Sequence, residues 1–317
     1  MGVDRLPSHT MGLRSTERMA ERSPDIRFIV NPFAGTSRGD ISATIGRVMG
    51  RPGSRYEITR TEEAGQATAL AREAADQGTG TVVAVGGDGT INEVGRGLLG
   101  TGVALGIVPL GSGNALAREL GIPLDPGEAC RVLLDGRQEA IDVGWMGDAV
   151  FFSTAGVSLD AEVSWRYNQR GGNLRGFLPY VGLTLYALAS YRPETITVTP
   201  EEGEALEVRP LILTVANASR FGNGAIIAPQ ARPDDGLLDI CIIEKRHLAR
   251  MVWHARRLFT GSIDRMPGAR SVRGKSFRIE RPTRGRCQVD GEPLSGGPVL
   301  DVRVEPKAIA VIVPRSA

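Results

Sequence analysis

The first part of the chain alternates between short apolar runs and longer segments with helical spacing. The runs IRFIV, TVVAVGG and VALGIVPL each lead into a turn of asparagine, proline or glycine, which is typical of buried strands. Residues 56–61 alternate like a further strand, and helices are predicted over 40–50, 63–77, 90–99 and 114–120. Strands that alternate with helices through short loops predict a parallel sheet with helices on its faces.

After about residue 138 the pattern changes to short β-branched and aromatic runs bounded by glycine, proline and aspartate. This pattern predicts an antiparallel β domain, interrupted by two helical stretches near 174–190 and 246–260. The tail VRVEPKAIAVIVP is again strand-like.

The change of pattern predicts two domains. We expect an α/β domain over 25–143, completed by 303–317, and a β-rich domain over 144–302. Residues 1–24 are polar and have no apolar periodicity, so we expect a mobile tail there.

Composition narrows the class of protein. The chain has 317 residues, 41% of them hydrophobic, and a net charge of +2, so no strong field points to nucleic acid. Cys130, Cys241 and Cys287 form no CxxC pair, so neither a disulfide framework nor a structural zinc site is expected. The sequence has no long apolar segment and no secretory signal, so we expect a cytoplasmic protein without a spanning helix.

Lysine and histidine are scarce, and this excludes some chemistry. Lysine first occurs at Lys245, so neither a P-loop lysine nor the strand lysine of a protein kinase lies in the first 244 residues. The histidines are His9, His247 and His254. If the chain is an enzyme, we expect its general base to be a carboxylate.

Three glycine-rich turns follow strands of the predicted parallel sheet. They are NPFAG at 31–35, GGDGT at 86–90 and PLGSGN at 109–114. Such turns let backbone N–H groups approach phosphate oxygens, and the following helix adds its dipole. One glycine-rich turn is weak evidence, since tight strand-to-helix turns use glycine anyway. Three at the carboxyl end of one sheet, where ligands of such sheets bind, indicate a phosphate-binding site.

These turns resemble a known family. GGDGTINEV and PLGSGNALAREL, with NPFAG upstream, are similar to motifs of the diacylglycerol kinase catalytic-domain family, which includes bacterial soluble lipid kinases, sphingosine kinases and ceramide kinases. IDVG, STAGVSLDAEV, ARPDDGLLDI and VDGEPL follow in the expected order, so the resemblance covers nearly the whole chain from about residue 25. It implies a three-layer α/β domain like that of NAD kinase and phosphofructokinase, a second β-sandwich-like domain, and an active-site cleft between them.

The resemblance implies an ATP-dependent lipid kinase that phosphorylates the primary hydroxyl of a lipid such as diacylglycerol, with ATP and Mg²⁺ as cofactors. Glu292 in VDGEPL resembles the general base, and Asp88 is the expected carboxylate near Mg²⁺. A turn carboxylate stays an alternative for Glu292. The residues expected to bind the nucleotide are Asn31, Thr61, Gly86, Gly87, Asp88, Gly89, Thr90, Asn92, Glu93, Gly111, Ser112, Gly113 and Asn114.

The same resemblance implies a second metal position and a supporting network. Asp235, with the backbone carbonyls of Arg232 and Leu237, resembles a structural Mg²⁺ loop, although a simple DDG turn is an alternative. Asp142 and Asp160 resemble residues of a substrate-side network, and a strand-end cap is the alternative for Asp142.

Two positions of this chain differ from the usual family motifs, so other functions remain alternatives. Many bacterial relatives have aspartate after the asparagine of the PLGSGN motif, whereas this chain has Ala115. The sequence here is closer to that of sphingosine and ceramide kinases. A sphingoid-base or ceramide kinase is therefore an alternative. In the first motif Ala34 replaces the usual serine, and Arg38 is a candidate for the basic residue that often follows. NAD kinase and a non-catalytic lipid- or nucleotide-sensing protein are weaker alternatives.

A soluble enzyme with a lipid substrate must reach a membrane surface. Residues 245–260, KRHLARMVWHARRLFT, have an apolar helical stripe, flanking arginines and a tryptophan, which is typical of an interfacial helix. The alternative is that the stripe packs on the β domain. We expect transient contact with the inner face of the membrane and no nucleic-acid partner, and a homodimer stays open.

Overall fold

The computed structural model describes residues 25–35, 40–51, 53–169, 177–245, 251, 253–254 and 256–315. The expected tail at 1–24, and positions 246–250, 252 and 255 of the expected interfacial helix, lie outside the described residues, as does Arg38.

The described part of the chain forms strands and helices with the following bounds. The strands are β1 (Ile26–Val30), β2 (Tyr56–Arg60), β3 (Thr81–Gly86), β4 (Ala104–Pro109), β5 (Arg137–Met146), β6 (Ala149–Phe151), β7 (Thr154–Gly156), β8 (Ile196–Pro200), β9 (Leu206–Val208), β10 (Pro210–Ala216), β11 (Leu238–Glu244), β12 (Ala269–Gly274), β13 (Ser276–Glu280), β14 (Gly285–Val289), β15 (Glu292–Gly296) and β16 (Val299–Val313). The helices are α1 (Ile41–Met49), α2 (Gln66–Asp76), α3 (Asp88–Leu98), α4 (Ala115–Glu119), α5 (Pro126–Asp135), α6 (Leu159–Gln169), α7 (Phe177–Ser190) and α8 (Arg257–Thr260).

The first half is a parallel α/β layer, as the sequence pattern predicts. Strands β2, β1, β3 and β4 lie side by side and pair in parallel, with α1, α2 and α3 in the connections. β3 and β4 are almost wholly buried, which explains their continuous apolar sequence. The carboxyl ends of β1, β3 and β4 therefore meet at one edge, where all three glycine-rich turns lie.

The sheet of the first half continues into the second half through β16. Near its end β16 pairs in parallel with β4, whereas its first residues pair with β13. β5 runs antiparallel along its length, with an irregularity in register between Glu305 and Ile309. Lys307 there has a φ of 51°, so the strand bends where it passes from one half to the other.

A second, antiparallel sheet has the order β12-β11-β10-β7-β14-β15. It packs against β13, β8 and β16 around a core that includes Phe151, Leu213 and Ile240. Its other face packs on α6, α7 and residues near 251–266, through a third cluster that includes Val163, Leu183 and Met251. The second half is thus a sandwich of strands with a helical layer over one face.

No helix in the described part of the chain is long and apolar enough to cross a membrane.

Candidate active site

The three glycine-rich turns are in direct contact. A Cβ atom at Gly111 would lie 2.7 Å from Gly87 Cα, so the second and third turns pack backbone against backbone. Gly35, at a φ of 86°, brings the first turn equally close, because a Cβ there would lie 2.4 Å from the carbonyl oxygen of Leu110. Neither approach leaves room for a side chain, which is the physical reason for the glycines.

Asn31 joins the first turn to α3. Its Nδ2 donates to Thr90 Oγ1 at 3.0 Å, and its Oδ1 accepts from the backbone N–H of Phe33 at 2.9 Å. Gly86 must be glycine, because a Cβ there would lie 2.4 Å from Thr90 Oγ1. The first-turn N–H groups of α3 have no carbonyl one turn back, so they face an incoming anion at this edge.

Asp88 holds the third turn to α3. Its Oδ2 accepts from the backbone N–H of Asn114 at 2.8 Å and its Oδ1 from that of Ala115 at 2.7 Å, so it caps α4. Burial raises the pKa of Asp88 to about 6, partly offset by these two hydrogen bonds, and the nearby charge of Asp290 adds to the rise. The sequence analysis expected Asp88 near the metal and in the nucleotide-binding loop, but the motif gave no indication of the hydrogen bonds by which Asp88 holds the third turn.

Asn114 is a buried polar residue of the third turn. Asn114 has a φ of 53°, its Nδ2 donates to the carbonyl of Gly111 at 2.7 Å, and its buried Oδ1 has no hydrogen-bond partner among the described residues. An unpartnered buried polar atom beside a backbone cradle is typical of a ligand site. Ser112 is exposed beside it, and Gly113 lines the adjacent cavity.

Thr61 and Glu93 lie at the far side of the same edge. Thr61 is buried at the end of β2, where its N–H donates to the carbonyl of Val30 at 2.9 Å. Glu93 accepts from the backbone N–H groups of Gly65 at 3.0 Å and Ala67 at 3.3 Å. Its carboxylate therefore caps α2, which is a structural contact that the motif did not indicate.

A magnesium ion at this edge would depend on the nucleotide. In the ranges the structure describes, no three Asp, Glu, His or Cys side chains are close enough to hold a metal by themselves. Mg²⁺ takes oxygen ligands and usually shares them between one or two carboxylates, substrate phosphates and water. The residues present fit that arrangement, with Asp88 as the protein carboxylate.

Glu292 lies across from the phosphate-binding turns, on the hairpin of β14 and β15. A Cβ at Gly89 would lie 2.7 Å from Glu292 Oε1, so the carboxylate sits against the first turn of α3. The side chain is exposed to solvent. The chain thus brings together a carboxylate and a phosphate cradle that are about 200 residues apart in sequence.

Asp290, two residues before Glu292, has a role that the sequence analysis missed. Its carboxylate accepts from Asn92 Nδ2 at 2.8 Å and from three successive backbone N–H groups, those of Phe152 and Ser153 at 2.8 Å and Thr154 at 3.0 Å. Burial raises the pKa of Asp290, and the hydrogen bonds oppose that rise. The bond from Asn92 fixes the hairpin of the second half to α3 of the first.

Further contacts hold the turn on its other side. Gly291 donates its N–H to Gln288 Oε1 at 2.8 Å, and its carbonyl accepts from Ser164 Oγ and from Asn168 Nδ2. Asp160 in turn accepts from Gln288 Nε2 at 3.3 Å. Asp160 therefore acts on the Glu292 turn through Gln288 rather than by contact.

A cavity of about 290 Å³ begins at these groups and extends into the second half. Its polar end is formed by Asp88, Ser153, Asp160 and Asp290 among others. Its remaining walls are mainly apolar; they include Leu159, Val163, Tyr167, Ile212, Phe221, Ile227 and Leu258. The sequence analysis placed a substrate site in the second domain without identifying these walls, because they come from four separate elements.

Asp142 lies fully buried on β5. Its Oδ1 accepts from the backbone N–H of Lys307 and its Oδ2 from that of Gly236, each at 2.7 Å. Its backbone N–H donates to the carbonyl of Pro233. These contacts fasten the 231–240 segment to the bend in β16, so the described contacts of Asp142 are structural.

The segment it fastens contains the expected metal loop. Asp235 is exposed, its Oδ1 accepts from the N–H of Leu237 at 3.1 Å, and its Oδ2 lies 3.5 Å from Arg273 Nη2. Arg273 also pairs with Asp239 at 3.0 Å. A cation held by Asp235 and the carbonyls of Arg232 and Leu237 would share the Asp235 carboxylate with this guanidinium.

Comparison with known proteins agrees with this geometry. Residues 25–146 match the family model of the diacylglycerol kinase catalytic domain, and residues 153–313 match that of the YegS C-terminal NAD kinase beta sandwich-like domain.

Similar full-length proteins carry related names. A Chromohalobacter salexigens protein named "Probable lipid kinase YegS-like" is 35% identical over 67% of this chain and 68% of its own length. A diacylglycerol kinase of Mycobacterium tuberculosis is 28% identical over 90% of this chain and 94% of its own. The crystal structure of a diacylglycerol kinase from Bacillus anthracis has the same fold, with a TM-score of 0.70 and 22% identity over 92% of this chain and 97% of that one.

Proposed function

The chain belongs to the lipid kinase family with a diacylglycerol kinase catalytic domain, and we propose that it transfers the γ-phosphoryl group of ATP to the primary hydroxyl of a lipid such as diacylglycerol. The observation that carries the proposal is the position of Glu292. Its carboxylate lies against Gly89 in the first turn of α3, and the two residues before it, Asp290 and Gly291, line a cavity whose walls are mainly apolar. An acceptor with one hydroxyl and long apolar chains suits that arrangement.

The phosphate groups of ATP would be held by the glycine-rich turns at 31–35, 86–90 and 109–114. Backbone N–H groups at the start of α3 face the phosphates, and Ser112 adds a hydroxyl. When bound, Mg²⁺ would neutralise charge on the phosphate oxygens, with Asp88 as its protein carboxylate.

Glu292 would act on the lipid hydroxyl. It accepts the hydroxyl proton as the oxygen forms its bond to the γ-phosphorus, while the bond from that phosphorus to the bridging oxygen of ADP breaks. Because Asp290 and Gly291 hold the turn on both sides, the base is positioned before the substrate arrives. The composition of the site supports this assignment, since none of the described residues that line the cavity is a histidine.

The apolar walls favour a lipid over the soluble dinucleotide that NAD kinase uses. They do not separate diacylglycerol from a sphingoid base or ceramide, because each presents a primary hydroxyl next to apolar chains. A phosphorylation assay with labelled ATP and a panel of detergent-dispersed lipids, with NAD in a parallel reaction, decides among them.

Glu292→Gln tests the mechanism. The amide cannot accept the proton, so we expect kcat to fall by at least about a hundredfold with little change in ATP affinity, the range in which general bases contribute. Glu62→Gln, at an exposed carboxylate of the α/β half, is the matched control and should keep wild-type kcat. A Glu292→Gln protein within about threefold of wild type would remove Glu292 from the mechanism.

A further inference from the structure

We propose that one face of the second half, formed by α7 and the described residues between 253 and 260, inserts into the headgroup region of an anionic lipid bilayer. This proposal rests on the proposed lipid kinase function, because it names the surface through which the acceptor reaches the cavity. The face is defined by four exposed side chains, those of Leu185, Tyr186, Trp253 and Phe259, and is called the docking face below.

Exposed apolar side chains concentrate on this face. Trp253 is 64% exposed, Tyr186 60%, Phe259 55% and Leu185 49%. In the described part of the chain only three other large hydrophobic side chains are comparably exposed, Phe33, Leu124 and Val299, and they lie on other elements. Scattered single residues need no explanation, whereas a concentration on two elements that line the same cavity indicates an interaction surface.

The docking face borders the cavity of the candidate active site. Thr184 on α7 and Leu258 on α8 line the cavity, and the next residue on each element, Leu185 and Phe259, is exposed to solvent. The N–H of Ile226, beside the cavity residue Ile227, donates to the carbonyl of Leu258 at 2.6 Å and fixes α8 there. A lipid that entered between these elements would pass directly from the face to the cavity.

Arginines stack on the aromatic rings of the face. The guanidinium of Arg256 lies 4.6 Å from the ring centroid of Trp253, and that of Arg166 lies 5.3 Å from the ring of Tyr186. Arg166 also pairs with Glu162, so its charge is partly compensated. In sequence, residues 245–263 carry five Lys or Arg and no Asp or Glu. Aromatic rings at the headgroup level with cations beside them match the chemistry of an anionic bilayer surface.

The arrangement differs from the amphipathic stripe expected from the sequence. Met251 of that stripe is buried in the core and Leu258 lines the cavity, so these two members pack inward. Trp253 and Phe259 point to solvent instead, and α7 supplies the other half of the face. The surface is therefore made by two elements around a cavity, which a single-helix analysis could not identify.

Vesicle binding of the full-length protein, measured without nucleotide, tests the docking face. The probes are phosphatidylcholine vesicles with and without phosphatidylglycerol. Trp253→Ser with Phe259→Ser should weaken binding to both vesicle types by more than tenfold, because two large side chains no longer leave water. Arg256→Glu should weaken binding to anionic vesicles by about 25-fold and leave neutral vesicles unaffected, since each interfacial charge contributes about fivefold and the substitution changes the charge by two units.

Matched controls come from exposed residues elsewhere in the chain. Leu124→Ser with Val299→Ser removes apolar surface of other elements, and Arg51→Glu reverses an exposed charge after α1; all should bind vesicles like wild type. Unchanged thermal midpoints show that every variant is folded. Turnover of a short-chain diacylglycerol dissolved in water should be the same for wild type and for the docking-face variants.

The outcomes separate this proposal from the proposed function. Wild-type vesicle binding by the docking-face variants, or equal losses in variants and controls, would overturn the docking face while leaving the kinase assay intact. A dimer that dissociates in Trp253→Ser with Phe259→Ser, with unchanged vesicle binding, would assign the face to a second copy of the chain instead. Vesicle binding through the face without phosphorylation of any lipid would overturn the proposed function and not the docking face.

Discussion

Replacing Gly89 by alanine distinguishes a catalytic Glu292 from a turn carboxylate. The three atoms that a Cβ at Gly89 would approach most closely all belong to Glu292, and Oε1 would lie at 2.7 Å. Ordinary van der Waals contact begins at about 3.5 Å, so the carboxylate must move away by roughly 0.8 Å. The methyl group thus displaces the proposed base and leaves its chemistry unchanged.

We expect kcat to fall by about 10- to 100-fold in Gly89→Ala, because a misplacement of about 1 Å at a reacting group can cost 10²-fold. Stability should not fall with it. Gly89 lies in the first turn of α3, alanine in a helix is up to about 1 kcal/mol more favourable than glycine, and the displaced atoms are the far end of an exposed side chain. Activity and stability are therefore expected to change in opposite directions.

The assay compares kcat, the KM for ATP and denaturant unfolding in five proteins: wild type, Gly89→Ala, Gly46→Ala, Glu292→Gln and the Gly89→Ala, Glu292→Gln double variant. Gly46→Ala in α1 is the control, because its Cβ would meet only Tyr56 Oη, at an ordinary 3.6 Å. In a Glu292→Gln background, Gly89→Ala should lower kcat little further, since both changes act on the same carboxylate. A kcat within about threefold of wild type, or an equal loss in the Glu292→Gln background, would refute the reasoning.

Three further predictions concern buried or loop carboxylates. Asp290→Asn places an amide nitrogen against at least one of the four donors that the carboxylate accepts from. The free energy of unfolding from a denaturation curve should therefore fall by about 2–4 kcal/mol, and kcat should fall as well. An unchanged denaturation curve would contradict the role of this network. Asp88→Asn should abolish Mg²⁺-dependent turnover. It should also lower the thermal midpoint, because α4 loses part of its N-terminal cap. Normal turnover with the same Mg²⁺ titration would exclude a metal role for Asp88. Added Mg²⁺ should raise the thermal midpoint of wild type and of the control Asp234→Ala but not of Asp235→Ala; equal responses in all three would make Asp235 a turn residue.

The α/β half was predictable because its signals are local. Buried parallel strands appear as continuous apolar runs, and glycine-rich turns mark their carboxyl ends. The observed ends of helices differ from the predicted ones where a residue distant in the sequence contacts the end of the helix. The helix expected from residue 63 begins at Gln66, because Gly65 has a φ of 85° and Glu93 caps the helix from α3. The helix α5 was missed although Asp125 and Pro126 form an ordinary start signal.

The network around Asp290 could not be predicted from the sequence. An Asp-Gly pair in a hairpin has the same local pattern whether its carboxylate faces water or a buried set of donors. The donors here come from Asn92 and from residues 152–154, which are 136 to 198 residues away in the chain. The walls of the cavity could not be predicted either, because they come from α6, β10, the segment at 221–227 and α8, which are far apart in the sequence.

Hydrogen bonds hold the backbone of the turn before Glu292, whereas the Glu292 side chain is exposed. This arrangement suits a general base. The turn at 290–291 is held from the α/β half by Asn92, from its own half by residues 152–154, and from α6 by Ser164 and Asn168. The Glu292 side chain itself is exposed, with its carboxylate against Gly89. Because Asn92 belongs to α3, whose first turn faces the phosphates, any movement of that helix carries the turn with it. The distance between base and phosphate cradle is therefore set by one hydrogen-bonded unit, and variants that break the Asn92–Asp290 bond should lower kcat more than they raise the KM for ATP.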